Sequence, residues 1–423
     1  MNDSLKNNKI DTLSISSQLS SHFFKLFFLI FVGGWAARYL GTENYGNYQY
    51  SITLFALFRP IGQLGMQGGL SILMCENKNQ EKLLSTALTI QVIGSFILSF
   101  LIVLIFLPKF NTIIFGLILM AAIGNIFNSF EIFESYLLHL QKGVKVAQSN
   151  FIQTLSYSFL FSLALIFELP VIFFGFFQAL QIGIKGLSLY IFSTKLTKQT
   201  NKYLKIISFE FYNLKRLISK GLPCIVSAMS ILLYTKSDIL MINWFMGPES
   251  TGIYSIATLV ISTQIPLPSI FSRTVYPALG SEAFHSSTLK LHKYKRYLRF
   301  YWIAGVLFSA VGITFSAKII EIIFGINFAD SAPIARSLSI SIFSIWMGFA
   351  TTNILLAYNK EKLDASRVFA AGLLNVVLNY LLIPKFGLQG AAFSSILSYF
   401  FGTFLLLAIK EPKLALYSIF PFF

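Results

Sequence analysis

Apolar runs close to the ~20 residues that carry a helix across a bilayer repeat along the whole chain, separated by short polar connections. Twelve such runs are expected, at approximately 23–40, 48–70, 83–107, 111–133, 151–168, 171–192, 221–245, 252–277, 299–317, 332–357, 366–384 and 389–409. The pattern Gly-x-Glu-x-x-Gly-x-Tyr punctuates them twice. Gly41, Glu43, Gly46 and Tyr48 form one copy, and Gly247, Glu249, Gly252 and Tyr254 repeat it 206 residues later. Each copy falls between the first two runs of its half, which is the mark of a duplicated membrane protein. The fold class predicted is all-α and integral to the membrane, with 12 transmembrane helices in two parallel six-helix bundles. The expected divisions are an N-terminal tail at 1–22, a bundle at 23–192, a basic linker at 193–220, a second bundle at 221–410 and a C-terminal tail at 411–423.

Composition narrows the class. Only 12% of residues are charged, against about 25% in soluble domains. Mean hydropathy is +0.69, so no soluble domain is expected. Residues 1–22 are polar and rich in Ser and Asn, which predicts a disordered tail rather than a secretory signal. Cys75 and Cys224 lack metal-ligand spacing, and the four histidines do not cluster inside the runs, so neither a disulfide nor a metal site is expected.

A net charge of +16 raises the question of nucleic acid, but its distribution answers it. Alternate connections and the tails hold 23 Lys and Arg residues, and the opposite connections hold four. That bias is the positive-inside pattern, and it predicts both termini in the cytoplasm and an even number of spans. In the linker, Ile207, Phe211, Leu214 and Ile218 share one helical face beside Lys215 and Arg216. The face predicts an amphipathic helix on the anionic inner leaflet, with a solvated basic linker as the alternative. The short outer connections leave no room for an external catalytic domain.

Charges at bilayer depth cost roughly 2.5–3.5 kcal/mol each, so they are the leading site candidates. Arg59 lies near the middle of the second run, Lys185 two-thirds through the sixth, and Lys236 and Asp238 in the seventh. Arg273, Arg336 and Lys25 lie closer to an interface, where long side chains can snorkel. Glu131 and Glu134 read as interfacial. Asn375 and Asn379, four apart in one run, add uncharged polar groups. On a straight helix Lys236 and Asp238 face opposite ways at ~100° per residue. Deep cations outnumber deep anions, which predicts an anionic cargo such as phosphate or diphosphate. No P-loop, nucleophile elbow or carboxylate pair is present, so no enzyme and no cofactor is expected.

The chain resembles the O-antigen flippases (Wzx-type polysaccharide transporters) of the multidrug/oligosaccharidyl-lipid/polysaccharide exporter superfamily. Arg38-Tyr39-Leu40-Gly41 with Tyr45-Gly46 is similar to the family's motif after the first span. Asp238, Gly252-Ile253-Tyr254 and Tyr276-Pro277 match its seventh and eighth spans. Phe324-Gly325 with Asn327 and Phe328, then Asn375, Asn379, Ile383-Pro384-Lys385-Phe386-Gly387 and Gly390-Ala391-Ala392, complete the match. The resemblance implies a MATE-like pair of bundles around a central cavity in the bacterial inner membrane. It implies flipping of an undecaprenyl-diphosphate oligosaccharide, with membrane lipid, a polysaccharide polymerase and a chain-length regulator as partners and no nucleic acid. Cavity positions in the family favour Arg38, Arg59, Lys236, Asp238 and Arg273. With Lys185, Arg336, Asn375 and Asn379 these form the candidate substrate site, apart from Asp238, which is assigned to ion coupling. A cation-coupled multidrug exporter and a membrane oligosaccharide polymerase are the alternatives.

Overall fold

The computed structural model describes residues 12–76, 80–108, 112–199, 211–269, 271–272 and 294–422. Among these there is no strand. Nine helical stretches are long and apolar enough to cross a membrane. Large apolar side chains such as Phe96, Ile105, Phe159, Trp244 and Ile322 point outward. Helices satisfy every backbone group internally, so such faces are stable against lipid.

Three of the nine stretches, Phe24–Gly62, Tyr212–Ser269 and Glu361–Lys410, have 39, 58 and 50 residues, each about long enough for two crossings. A non-helical glycine interrupts each one: Gly41, Gly247 and Gly387. Gly41 (φ 73°, ψ 175°) and Gly247 (φ 85°, ψ −176°) occupy a region essentially closed to residues with a Cβ. The first glycine of each repeated motif is therefore a turn residue.

Two compact units are defined by the contacts. The first comprises Met1–Ala36 and Phe58–Ile225. Its core gathers Met66, Leu70, Leu73, Leu84, Phe133 and Leu217, with Leu214 and Ile218 packed against it. Two predictions change here. The apolar face of the linker helix is spent on this core, through Leu214, Leu217 and Ile218, rather than on a leaflet; Ile207 lies outside the described residues. The first helix also starts at Thr12, inside the segment expected to be disordered. Extending an existing helix avoids the cost of nucleation, so a Ser-rich stretch continues it.

The second unit comprises Ala37–Leu57 and Val226–Phe423. Here the two motif copies meet reciprocally. A Cβ on Gly46 would lie 1.8 Å from the Pro248 carbonyl oxygen, and one on Gly252 would lie 2.0 Å from that of Thr42. The second glycine of each copy thus allows backbone-to-backbone contact with the other copy.

Candidate functional site

In each unit, deep charges named from the sequence fall into a cluster of polar groups. In the first, the helix of the fourth run tightens into a 3-10 turn at Asn128–Glu131 before continuing as Ile132–His139. Glu131 and Glu134 project from this turn and the helix after it toward Lys185 on helix Val171–Gln199. Lys185 Nζ lies 2.9 Å from Glu131 Oε1 and 3.1 Å from Glu134 Oε2. The lysine is buried. Low dielectric strengthens such contacts, and the two carboxylates make the lysine's charge tolerable.

Arg59 and Lys25 lie within electrostatic reach of Glu131. Arg59 sits in the last helical turn before Pro60, and its Nε is enclosed without a hydrogen-bond partner. Three cations therefore face two carboxylates, and Arg59 keeps its Nε donor without a partner among the described residues. Glu131 and Glu134, expected at an interface, are instead the counterions of Lys185.

In the second unit Asp238 is 4% exposed. Its Oδ1 accepts from Asn379 Nδ2 at 2.6 Å, and its Oδ2 accepts from Tyr254 Oη and Ser395 Oγ at 2.7 Å each. Asn379 also donates to Asn375 Oδ1 at 3.0 Å, and Ser237 donates to the same oxygen at 2.9 Å. Among the described residues no cation is bonded to the carboxylate; neutral donors hold it. A cavity of about 220 Å³ adjoins it, lined by Lys236 as well as Asp238 and Tyr254. The helix carrying Lys236 and Asp238 has no break between them. Both still reach one cavity, because a long lysine stem bends around the helix where a shorter side chain could not.

The other candidates are spread more widely. Arg38 is exposed and donates to the carbonyls of Glu321 and Ile322, capping the last turn of helix Lys295–Phe324. The negative end of a helix dipole suits a cation, so this arginine holds a helix end. Arg336 is exposed in the last turn of helix Ser331–Ser339. Arg273 lies outside the described residues. Among the described residues no group of three or more His, Cys, Asp or Glu is placed to hold a metal.

Three residues that the sequence did not single out also belong here. Tyr254 is the tyrosine of the second motif copy. Ser395 follows the small-residue signature at Gly390-Ala391-Ala392. Arg367, counted among connection charges, is 3% exposed. It binds Asp364 Oδ1 through Nε at 2.9 Å, the Gly402 carbonyl through Nη1 at 3.1 Å, and Thr352 Oγ1 through Nη2 at 2.5 Å. Its alternation of depth with Asp364 across one turn was the signal available for it.

Apolar helices with charged clusters inside them define a polytopic membrane protein. Over 96% of this chain and 91% of the other, the fold matches lipid II flippase MurJ in an inward closed conformation, with a TM-score of 0.73 and 17% identity. It also matches an inward-facing multidrug resistance MATE family transporter of the MOP superfamily, with a TM-score of 0.71 and 14% identity over 95% of this chain and 98% of that one. At those identities the likeness is one of fold.

Residues 13–282 match the model of the polysaccharide biosynthesis protein family, and the chain belongs to that family. Among curated relatives, a probable flippase, AglR, of Haloferax volcanii is 28% identical over 193 residues, covering 43% of this chain and 38% of the relative. A putative O-antigen transporter of Escherichia coli (strain K12) is 22% identical over 187 residues, covering 44% of this chain and 45% of the relative. The chain thus spans less than half the length of either relative. Both are named as transporters rather than enzymes.

Proposed function

We propose that this protein flips a lipid-linked oligosaccharide across a bacterial inner membrane by alternating access, and that Arg59 grips the diphosphate of an undecaprenyl-diphosphate carrier. The observation that carries this reading is the unequal use of the first unit's charges. Lys185 is neutralised by Glu131 and Glu134, while Arg59 keeps a buried donor free and Lys25 adds positive charge nearby. A planar guanidinium with open donors suits a phosphate, which it can bind through two parallel hydrogen bonds. The names of the flippase and O-antigen relatives agree with such a cargo.

Three further points belong to the same reading. Counting each glycine-broken stretch as a helix pair gives twelve spans with both termini in the cytoplasm. Asp238 is the ion-coupling residue, since a carboxylate held only by neutral donors can gain and lose a counter-charge without breaking an ion pair. Lys236, beside it, contributes to the substrate-facing charge. Restoration of surface polysaccharide in a flippase-deficient bacterial host tests the whole reading. The native protein is expected to restore it, and Arg59→Ala is expected not to at equal membrane abundance. Full restoration by Arg59→Ala would refute the diphosphate grip. Export of cationic drugs without restoration would favour the multidrug reading.

A further inference from the structure

The second unit contains a second cavity of about 230 Å³ that the proposed substrate and coupling sites do not use. Asp364, Arg367 and Thr352 line one part of it, and Tyr234, Tyr399 and Ser398 another. Asp364 stands in the first turn of helix Glu361–Phe400, so the cavity reaches the helix end, where Lys360, Glu361 and Lys362 mark the water interface. Tyr234 and Tyr399 also line the Asp238 cavity. Their rings meet edge-on, with centroids 5.1 Å apart and planes at 88°. One aromatic pair is therefore a common wall of both cavities.

The polar groups continue through that wall. Tyr234 interacts electrostatically with Arg367 and Asp364, and Tyr399 with Tyr234 and Asp238. Neither phenol makes a hydrogen bond to a described residue. Each cavity also has an enclosed hydroxyl without a partner, Ser398 Oγ on one side and Ser255 Oγ on the other. Buried polar groups are normally satisfied, and water in a polar cavity is the usual means.

The wall also has a built-in point of give. Residues Phe401–Leu405, two positions beyond Tyr399, form a π-helical turn, and its Gly402 carbonyl accepts from Arg367. A π-turn holds one extra residue in the helix, and shifting that residue rotates the side chains before it.

We propose that the two cavities are successive stations of a proton path from the Asp364–Arg367 end of the second unit to Asp238, closed in this conformation by the Tyr234–Tyr399 ring pair. This inference rests on the reading of Asp238 as the coupling residue and supplies its route of access. The cargo is a proton rather than a metal cation for two reasons. Asp238 already accepts from Asn379, Tyr254 and Ser395, which leaves it few free lone pairs. Lys236 places an ammonium in the same cavity, where it opposes a second cation but not neutralisation of the carboxylate. The groups facing Asp238 are Lys236 on its own helix, Tyr254 from the following segment, and Asn375, Asn379, Ser395 and Tyr399 from the two arms of helix Glu361–Phe400. On protonation of Oδ2, the Ser395 hydroxyl turns from donor to acceptor, so the Asp238–Ser395 hydrogen bond is kept with its direction reversed. Water-filled Ser398 and Ser255 pockets carry the proton up to and away from the ring pair.

The test is the rate at which dicyclohexylcarbodiimide, which adds to protonated carboxyl groups, modifies Asp238 in the purified full-length protein, read by peptide mass. The protein is in detergent without lipid-linked substrate, so the readout is access alone. Tyr234→Ala and Tyr399→Ala are expected to raise the rate about tenfold, equivalent to about 1.4 kcal/mol of barrier. Tyr234→Phe and Tyr399→Phe keep the rings and are expected to match the native rate. They also provide folded controls should an alanine variant fail to fold. Asp238→Asn is expected to lose the mark. Equal rates in the alanine and native proteins would overturn the gate, as would acceleration by phenylalanine alone. Protection of Asp238 by sodium chloride but not by choline chloride would overturn the proton assignment in favour of a metal cation. Gate-dependent modification together with normal polysaccharide display by Asp238→Asn would keep the path and reject the coupling role.

Discussion

In the first unit Lys185 is balanced by two carboxylates, while in the second unit Asp238 is surrounded by neutral donors. Lys185 has two carboxylates within 3.1 Å. Asp238 has a phenol, a hydroxyl and an amide, all within 2.7 Å. The difference has consequences for function. A neutralised lysine is committed to structure, and what remains beside it is the unused Arg59. A carboxylate held by neutral donors can change protonation state without an ion pair having to break. The duplicated sequence diverged at this point. Asp238 stands nine residues before Gly247, and the corresponding place before Gly41 is Val32. Both copies have a buried tyrosine, Tyr48 and Tyr254, and Tyr254 donates to Asp238.

Removing the lysine should have the largest effect on stability. Lys185→Met leaves two buried carboxylates without their cation, which is expected to cost about 3–5 kcal/mol. Thermal unfolding in detergent should show a clear drop in midpoint, and Glu131→Gln with Glu134→Gln in the same chain should recover most of it. Recovery would separate a structural lysine from a substrate-binding one. In the second unit Tyr254→Phe removes a hydrogen bond to a charged group, a loss of about 1.5–3 kcal/mol. Tyr48→Phe should cost less, since no acid lies at its counterpart position; equal losses would show that the two copies are chemically alike after all.

Gly46→Ala and Gly252→Ala probe what the copies share. Each places a Cβ at or within 2.0 Å of a backbone oxygen of the other copy, so each is expected to destabilise by about 1–3 kcal/mol. A loss confined to one copy would break the reciprocity of the contact. The smallest expected effect is that of Arg59→Ala on stability, about 0–1 kcal/mol, because it removes a half-buried cation near Glu131 but no described hydrogen bond.

Much of this arrangement was legible in the sequence. The apolar runs gave the all-helical, membrane-spanning class, depth in those runs singled out Arg59, Lys185, Lys236 and Asp238, and the four-residue spacing of Asn375 and Asn379 put both on one face. The partners of these residues were not legible. Glu131 lies 54 residues from Lys185, and only tertiary packing and a 3-10 turn bring them together. Arg38 was named from the family resemblance, and its bond to a helix end at residue 322 is a tertiary contact that no motif spells out. Arg367 was hidden by the topology count, which treats every cation near a span end as a connection charge. The repeated motif read as structural in both copies; the second carries Tyr254 to Asp238, and only the contact reveals that role.

The central claim is that the first unit's uncommitted cation handles the substrate's diphosphate. It is tested most directly by flipping of an undecaprenyl-diphosphate disaccharide in proteoliposomes containing purified protein. The native protein and the charge-neutral triple variant Lys185→Met, Glu131→Gln, Glu134→Gln are expected to flip it, while Arg59→Ala, equally folded, is expected not to. Native flipping by Arg59→Ala together with loss in the triple variant would place the diphosphate on Lys185 and contradict the account.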